Sequence, residues 1–138
     1  MTRRARHPPE AALALKQQAE RRGRRGEALA ALWLQLKGYR VLARRVRTPA
    51  GEIDLVARRG GTLAMVEVKA RARVADGLDA ASPAARRRIA RAAQLWLDAR
   101  PALHHLELRY DLIVVARRAR LVHVRDAWRP DDGAAARP

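Results

Sequence analysis

Three acids and a lysine stand at strand spacing in residues 52 to 69, "EIDLVARRGGTLAMVEVK", around the glycine pair Gly60-Gly61. The flanking stretches have strand character and the glycines have hairpin-turn chemistry, so an antiparallel hairpin is expected here. If it closes symmetrically about the glycines, Ile53 faces Val68 and Leu55 faces Val66 as an apolar side. Asp54 then faces Glu67, and Glu52 faces Lys69. Like charges directly opposed in a ladder, with Cβ atoms about 5 Å apart, are destabilising. At an effective dielectric near 20 the repulsion is on the order of 3 kcal/mol. A divalent cation between the carboxylates would reverse its sign. Oxygen donors with no cysteine or neighbouring histidine suit Mg²⁺ or Mn²⁺ and not zinc. Lys69, two residues beyond Glu67 on the same face, could hold a phosphate oxygen or help deprotonate an attacking water. The plain alternative is a solvated strand with a Glu52–Lys69 ion pair, worth little on a surface. A one-residue slip of register would scramble the facing altogether.

Lys69 stands out by composition. Of 30 basic residues only Lys16, Lys37 and Lys69 are lysine; the other 27 are arginine. Where arginine outnumbers lysine nine to one, a retained lysine suggests that a compact amine is needed. The net charge of +16 and a pI near 11.8 point to a polyanionic partner, nucleic acid first. Arginine over lysine can reflect a GC-rich genome, but that does not explain 30 bases against 14 acids. There is no phenylalanine, and only Trp33, Tyr39, Trp96, Tyr110 and Trp128 could stack on bases. This disfavours an aromatic single-strand platform and favours backbone contact. The absence of cysteine excludes disulfides and thiolate metal sites. No apolar run reaches the roughly 20 residues of a membrane helix, and the N-terminus does not read as a signal peptide, so a cytoplasmic protein without membrane contact is expected.

The elements that must position these residues read as a mixed α/β domain. Residues 1–22 form a basic, alanine-rich extension, partly helical or disordered. "GEALAALWLQLKG" (26–38) reads as a helix with Leu29, Leu32, Trp33 and Leu36 as its apolar stripe and Gly38 as its stop. A strand follows at 39–46, then "TPAG" turn chemistry at 48–51 and the hairpin. Residues 73–81 read as an exposed, mobile loop. Ser82 offers an N-cap and Pro83 a first-turn proline for a second helix. That helix is expected to bury Ile89, Ala93, Trp96 and Leu97 and to expose Arg87, Arg91 and Gln94. Strands at 108–116 and 120–124 turn at Arg117-Arg118-Ala119, and the tail 129–138 reads as disordered. The order is therefore αβββαββ, with the domain at 23–128.

Asp54, twelve residues and Glu67-Val68-Lys69 match the short PD-(D/E)xK nuclease signature. The wider string "GRRGEALAALWLQLKGYRVLARRVRTPAGEIDLVARRGGTLAMVEVKAR" is more specific. It is followed by "SPAARRRIARAAQLWL", "RYDLIVV" and "DAW", and with these strings together the sequence resembles the YraN family over about residues 23–128. YraN proteins are described as predicted endonucleases related by fold to archaeal Holliday junction resolvases. The resemblance implies a restriction-endonuclease-like core with a mixed sheet flanked by helices. It implies Asp54 and Glu67 as metal ligands, joined by the Val68 carbonyl, and Lys69 as the catalytic lysine. Glu27 would match the acid that the resolvase-like branch supplies from its first helix; alternatively it stabilises a helix N-terminus. That branch is dimeric, which leaves a homodimer open. Two features depart from the pattern: Ile53 stands where the signature has proline, and Ala84-Ala85 stand where relatives often carry a lysine.

Other residues carry weaker signals. Arg44 and Arg45, and Arg87 and Arg91, belong to arginine clusters that either grip phosphates or form solvated faces. Asp111 reads as a structural acid bonded to Arg109, with catalysis as the lesser alternative. His123 reads as an outward-facing strand residue and His104-His105 as a loop feature. Three readings remain open: an Mg²⁺- or Mn²⁺-dependent endonuclease acting on DNA, branched or junction DNA included; a non-catalytic nucleic-acid-binding module of the same fold; and an RNA- or ribosome-associated factor.

Overall fold

The computed structural model describes residues 9–78 and 82–130. Its first helix, α1 (Glu10–Leu36), is longer than the sequence suggests. The helix expected from Gly26 begins instead at Glu10, so much of the basic extension is its first half. Alanine, leucine, glutamine, glutamate, lysine and arginine are good helix formers, and they carry the helix through Gly23. Gly26 is buried: a Cβ there would lie 3.4 Å from Ala70 Cβ, so its bareness lets α1 sit close on the sheet. The buried stripe is also rotated from the expected one. Leu29 and Trp33 pack against the core as expected, but Ala30, Ala31 and Leu34 are the buried residues, while Leu32 and Leu36 are exposed. Small residues allow the close approach that the larger leucines would block. Gly38, at φ +89°, ends the helix as expected. The Tyr39 amide donates to the Leu34 carbonyl at 2.9 Å and the Gly38 amide to the Gln35 carbonyl at 3.1 Å, the paired bonds of a Schellman cap.

Five strands follow: β1 (Arg40–Thr48), β2 (Gly51–Arg59), β3 (Thr62–Ala70), β4 (Glu107–Ala116) and β5 (Arg120–Trp128). They form one mixed sheet in chain order. β3 and β4 are parallel and the other neighbours antiparallel. A parallel pair requires a crossover. Here it is made by α2 (Val74–Leu78) and α3 (Pro83–Asp98), with a 3₁₀ turn at Pro101–Leu103. Leu55, Ala57, Val66, Ile113 and Val115 pack with α1 on one face. Val56, Leu63, Met65 and Tyr110 pack with α3 on the other. The mixed α/β class and the flanking helices are thus as expected. Ser82 Oγ accepts the Ala85 amide at 3.1 Å, and Pro83 opens the helix. Ala93, Trp96 and Leu97 are buried, Ile89 is half-buried, and Arg87, Arg91 and Gln94 face solvent. The tail expected from Arg129 lies mostly at 131–138, outside the described residues, as do residues 1–8 of the extension.

One expectation fails in part. Of the stretch read as an exposed loop, residues 74–78 form α2, whose Gly77 is buried against β4; Arg73, Ala75, Asp76 and Leu78 are exposed as expected, and residues 79–81 lie outside the described residues. A Cβ at Gly77 would stand 2.5 Å from Val114 Cγ1, so this glycine marks a close packing contact and not a flexible link. Gly77→Ala should therefore destabilise the fold by about 1–3 kcal/mol through overpacking. Urea unfolding checks this, and an unchanged midpoint would mean that α2 does not seat on β4.

Candidate active site

The hairpin register is the expected one: Leu55 pairs with Val66, and pairing continues through Arg59 and Thr62 toward the Gly60-Gly61 turn. Beyond Leu55 the two strands part. Residues 51–53 of β2 stay paired with β1, and Glu67, Val68 and Lys69 stay paired with β4. Asp54 fills the gap, its Oδ2 accepting the Val68 amide at 2.8 Å. Asp54 and Glu67 are therefore not ladder partners as expected; a side-chain carboxylate has replaced the backbone acceptor. The alternation of β2 also breaks here. Ile53 joins the α3-side core and Leu55 the α1-side core. On β1, the residue opposite this break is Arg45, with a left-handed backbone at φ +50°. For a non-glycine residue that conformation costs on the order of 1–2 kcal/mol.

The strained arginine has a partner. Arg45 Nε lies 2.6 Å from Glu27 Oε2 on α1. Lys69 Nζ lies 2.9 Å from Glu67 Oε1, with the two side chains 25% and 11% exposed. The expected Glu52–Lys69 pair does not form. Glu52 instead lies 3.7 Å from Arg47 across β1, both well exposed, because past the parting point its neighbour is β1. Glu67 Oε2 is buried and has no hydrogen-bond partner among the described residues.

The Asp54 carboxyl titrates well above its ordinary range, at about 6. Burial is the main cause; the charges of Glu27 and Glu67 add to it, while the Val68 amide and Lys69 oppose it. A carboxyl raised in this way contributes stability that is complete below about pH 4 and is lost as pH rises through about 6. Asp54→Asn keeps an oxygen for the Val68 amide and carries no charge at any pH. It should be more stable than the wild type at pH 8, by about 1–3 kcal/mol, and equal to it at pH 4. Urea midpoints of both proteins at the two pH values test this. A gap of the same size at pH 4 would show that the effect is not the charge.

A hollow of about 260 Å³ lies between α1 and the β1–β2 edge, with Glu20, Glu27, Glu52 and Asp54 in its lining beside Arg45 and Arg47. Glu20 was not singled out by sequence. It stands seven residues before Glu27 on the same helical face, a signal readable only once α1 is known to extend that far back. Among the described residues, no three or more histidine, aspartate or glutamate side chains gather closely enough to hold a metal ion. Each acid is drawn to its own partner: Glu27 to Arg45, Glu67 to Lys69, Asp54 to the Val68 amide. The arginines expected at a nucleic-acid surface are dispersed. Arg44 and Arg45 lie on β1, Arg45 turned toward α1, while Arg87 and Arg91 lie on the exposed side of α3 across the sheet.

Asp111 is fully buried on β4 and lies in a second polar cluster. Arg109 donates to both of its oxygens, at 2.8 and 2.7 Å, and the Asp126 amide donates at 3.0 Å. His123 Nε2 lies 2.8 Å from Oδ2, and His123 Nδ1 lies 2.6 Å from Lys37 Nζ. The His123 side chain is 2% exposed and not outward-facing as expected. It follows Leu121 on β5, which packs against the α1-side core, and so faces the same way. Burial pushes the Asp111 carboxyl up, but the bonds from His123, Arg109 and the Asp126 amide outweigh it and hold it at about 2.

The model for uncharacterised protein family UPF0102 matches residues 26–115, a span that carries Glu27, Asp54, Glu67, Lys69 and Asp111. A UPF0102 protein of Maricaulis maris is 56% identical over 119 residues, covering 86% of this chain and 94% of the relative. One from a Chelativorans species is 53% identical over 113 residues, covering 82% and 91%. A third, from Parvibaculum lavamentivorans, is 52% identical over 112 residues, covering 81% and 84%. With that family match and relatives at this identity, the chain belongs to UPF0102, the YraN family.

Proposed function

We propose that this protein is a metal-dependent phosphodiesterase of the endonuclease type acting on DNA, on a restriction-endonuclease-like core. The observation that carries the reading is Glu67. One of its carboxylate oxygens holds Lys69 and the other is buried without a partner among the described residues, next to the point where Asp54 fills the parting of β2 and β3. A binding module for DNA needs positive charge there. Burying acids where two interior strands part works against phosphate binding unless the acids have another task.

The residues fit a hard divalent cation, Mg²⁺ or Mn²⁺. An orphaned buried oxygen on Glu67 and an Asp54 carboxyl raised by burial and by neighbouring acids are an excess of unneutralised oxygen donors. Asp54 and Glu67 would hold the ion, with the Val68 carbonyl and Glu27 as further oxygens. The lack of a third gathered carboxylate suits Mg²⁺, which commonly takes one or two carboxylates and completes its shell with water and substrate phosphate. When bound, such an ion stabilises charge on the scissile phosphate and lowers the pKa of water. The chain's own part is orientation and charge. Lys69, held by Glu67, would donate from Nζ to a phosphate oxygen or to the attacking water. The Val68 amide fixes the Asp54 carboxylate, and Arg47 at the rim would contact the flanking phosphates.

The test is a cleavage assay with Mg²⁺ or Mn²⁺ over duplex, single-stranded, flap and four-way DNA and matching RNA. Glu67→Gln should bind DNA without metal as tightly as the wild type, or more tightly, and cut nothing. Mn²⁺ should raise the melting temperature of the wild type and not of Asp54→Asn, through preferential binding to the folded state. A wild-type protein that binds tightly, cuts no substrate and gains no stability from either metal would instead support the binding-module reading.

A further inference from the structure

The hollow with the acids has a counterpart on the other flank of α1. A half-open cavity of about 500 Å³ lies between α1, the end of β3 and the β4–β5 turn. Among the described residues, Arg25, Arg71, Arg117 and Arg118 line it and no acid does, while Leu29 and Val115 contribute apolar surface. Two of these arginines are next to the candidate site in the chain: Arg71 is two residues past Lys69, and Arg25 two before Glu27. The Arg71 amide donates to the Val115 carbonyl at 3.0 Å, which fixes this wall of the cavity to β4. The opposite wall is an unusual turn. Arg118 and Ala119, in the three-residue connection between β4 and β5, both take left-handed backbone, at φ +60° and +54°, which glycine and asparagine adopt far more readily. An arginine is held at the rim in a conformation that another residue would adopt more readily, and such outliers gather where a side chain has a task.

We propose that this cavity binds one unpaired nucleotide of a nucleic-acid strand, and so directs the protein to substrates with a single-stranded end, flap or branch. A concave space of this size excludes duplex, whose backbone would be met by arginines spread over an open face. It admits one extruded nucleotide. The four guanidinium groups meet its phosphates, and can also stack on a base, as arginine planes do in single-strand recognition. Leu29 and Val115 give the base an apolar floor. This deepens the nuclease reading and rests on it for the strand's path from Lys69 to Arg71, but the cavity's binding does not require cleavage.

The experiment therefore measures binding in EDTA, by fluorescence anisotropy, to three probes: a duplex with a short single-stranded overhang, the blunt duplex, and a mononucleotide. The variants are Arg71→Ser with Arg118→Asn, and a control of equal charge loss, Arg87→Ser with Arg91→Ser on α3. Asparagine tolerates left-handed backbone, so the turn should survive; circular dichroism melting checks this. The wild type should favour the overhang over the blunt duplex by about tenfold or more. The cavity double variant should lose that preference, and its salt dependence on the overhang should become shallower by about 1.4 in log–log slope, the loss of two single-strand phosphate contacts. The control should keep the preference. Equal wild-type affinity for overhang and blunt duplex would overturn the proposal, as would a preference that survives in the cavity variant. A mononucleotide bound as tightly as the overhang would overturn it in favour of a free-nucleotide site. Loss of preference in the cavity variant together with no cleavage of any substrate would uphold the cavity and sink the nuclease reading alone.

Discussion

Lys69→Arg is expected to fold, to bind DNA with the wild-type salt dependence, and to lose cleavage by about 10²-fold or more, the scale of removing one transition-state contact. The arginine-rich composition makes the test sharp, because a merely electrostatic role at this position would be filled by arginine as it is elsewhere in the chain. The geometry adds a reason for failure. Lys69 pairs with Oε1 of Glu67, and Oε2 is buried without a donor among the described residues. A guanidinium is a planar fork that bonds both oxygens of a carboxylate at once. Arginine at 69 would satisfy the orphaned oxygen, tie up Glu67, and present a group that is never deprotonated. The variant should therefore melt no lower than the wild type without metal, and gain less stability when Mn²⁺ is added. Single-turnover rates and melts with and without Mn²⁺ separate these effects. Equal cleavage rates would remove Lys69 from the reaction and leave the Glu67–Lys69 pair a half-buried structural contact.

The sequence made the hairpin legible because Gly60-Gly61 fixes its register, and register fixes which residues are neighbours. It could not show that the ladder stops at Leu55 and Val66. That depends on β1 and β4, which hold the strands on either side and pull them apart. The same cause overturned the Glu52–Lys69 pair. Helix boundaries were legible where a cap marks them, at Gly38 and at Ser82-Pro83, and illegible at Glu10, where no side chain caps the helix. Gly77 misled because a glycine chosen for close packing against Val114 looks like one chosen for flexibility. His123 misled because the polarity of a strand residue says nothing about partners. Lys37 and Asp111 stand 86 and 12 residues from it in sequence.

That buried cluster carries the largest stability effect expected in the molecule. Lys37 has only donors to offer, so His123 Nδ1 accepts from it and Nε2 carries the hydrogen that Asp111 receives. Asp111 thus faces donors on every side: His123, both guanidinium bonds of Arg109, and the Asp126 amide. It is also the acid in a basic neighbourhood. Burial, and then the charge of Arg125, lower the Lys37 ammonium from its usual range, with Arg59 adding to the effect and Tyr39 and Asp111 opposing it. Asp111→Asn keeps the shape but turns one acceptor into an NH₂ donor facing other donors. His123 can accept from that group only by moving its hydrogen to Nδ1, where it meets the Lys37 ammonium. Breaking a buried charge pair from one side typically costs 3–5 kcal/mol, and a domain's whole stability is about 5–15 kcal/mol. Asp111→Asn should therefore lower stability by about 3–5 kcal/mol at pH 7, read from urea unfolding. A carboxyl held at about 2 contributes stability that is complete above about pH 4 and is lost as pH falls through about 2. The gap between wild type and variant should accordingly be full at pH 5 and narrow by pH 2.5. A variant within 1 kcal/mol of wild type at pH 7 would show that the Arg109 and His123 contacts do not hold β4 and β5 to the end of α1.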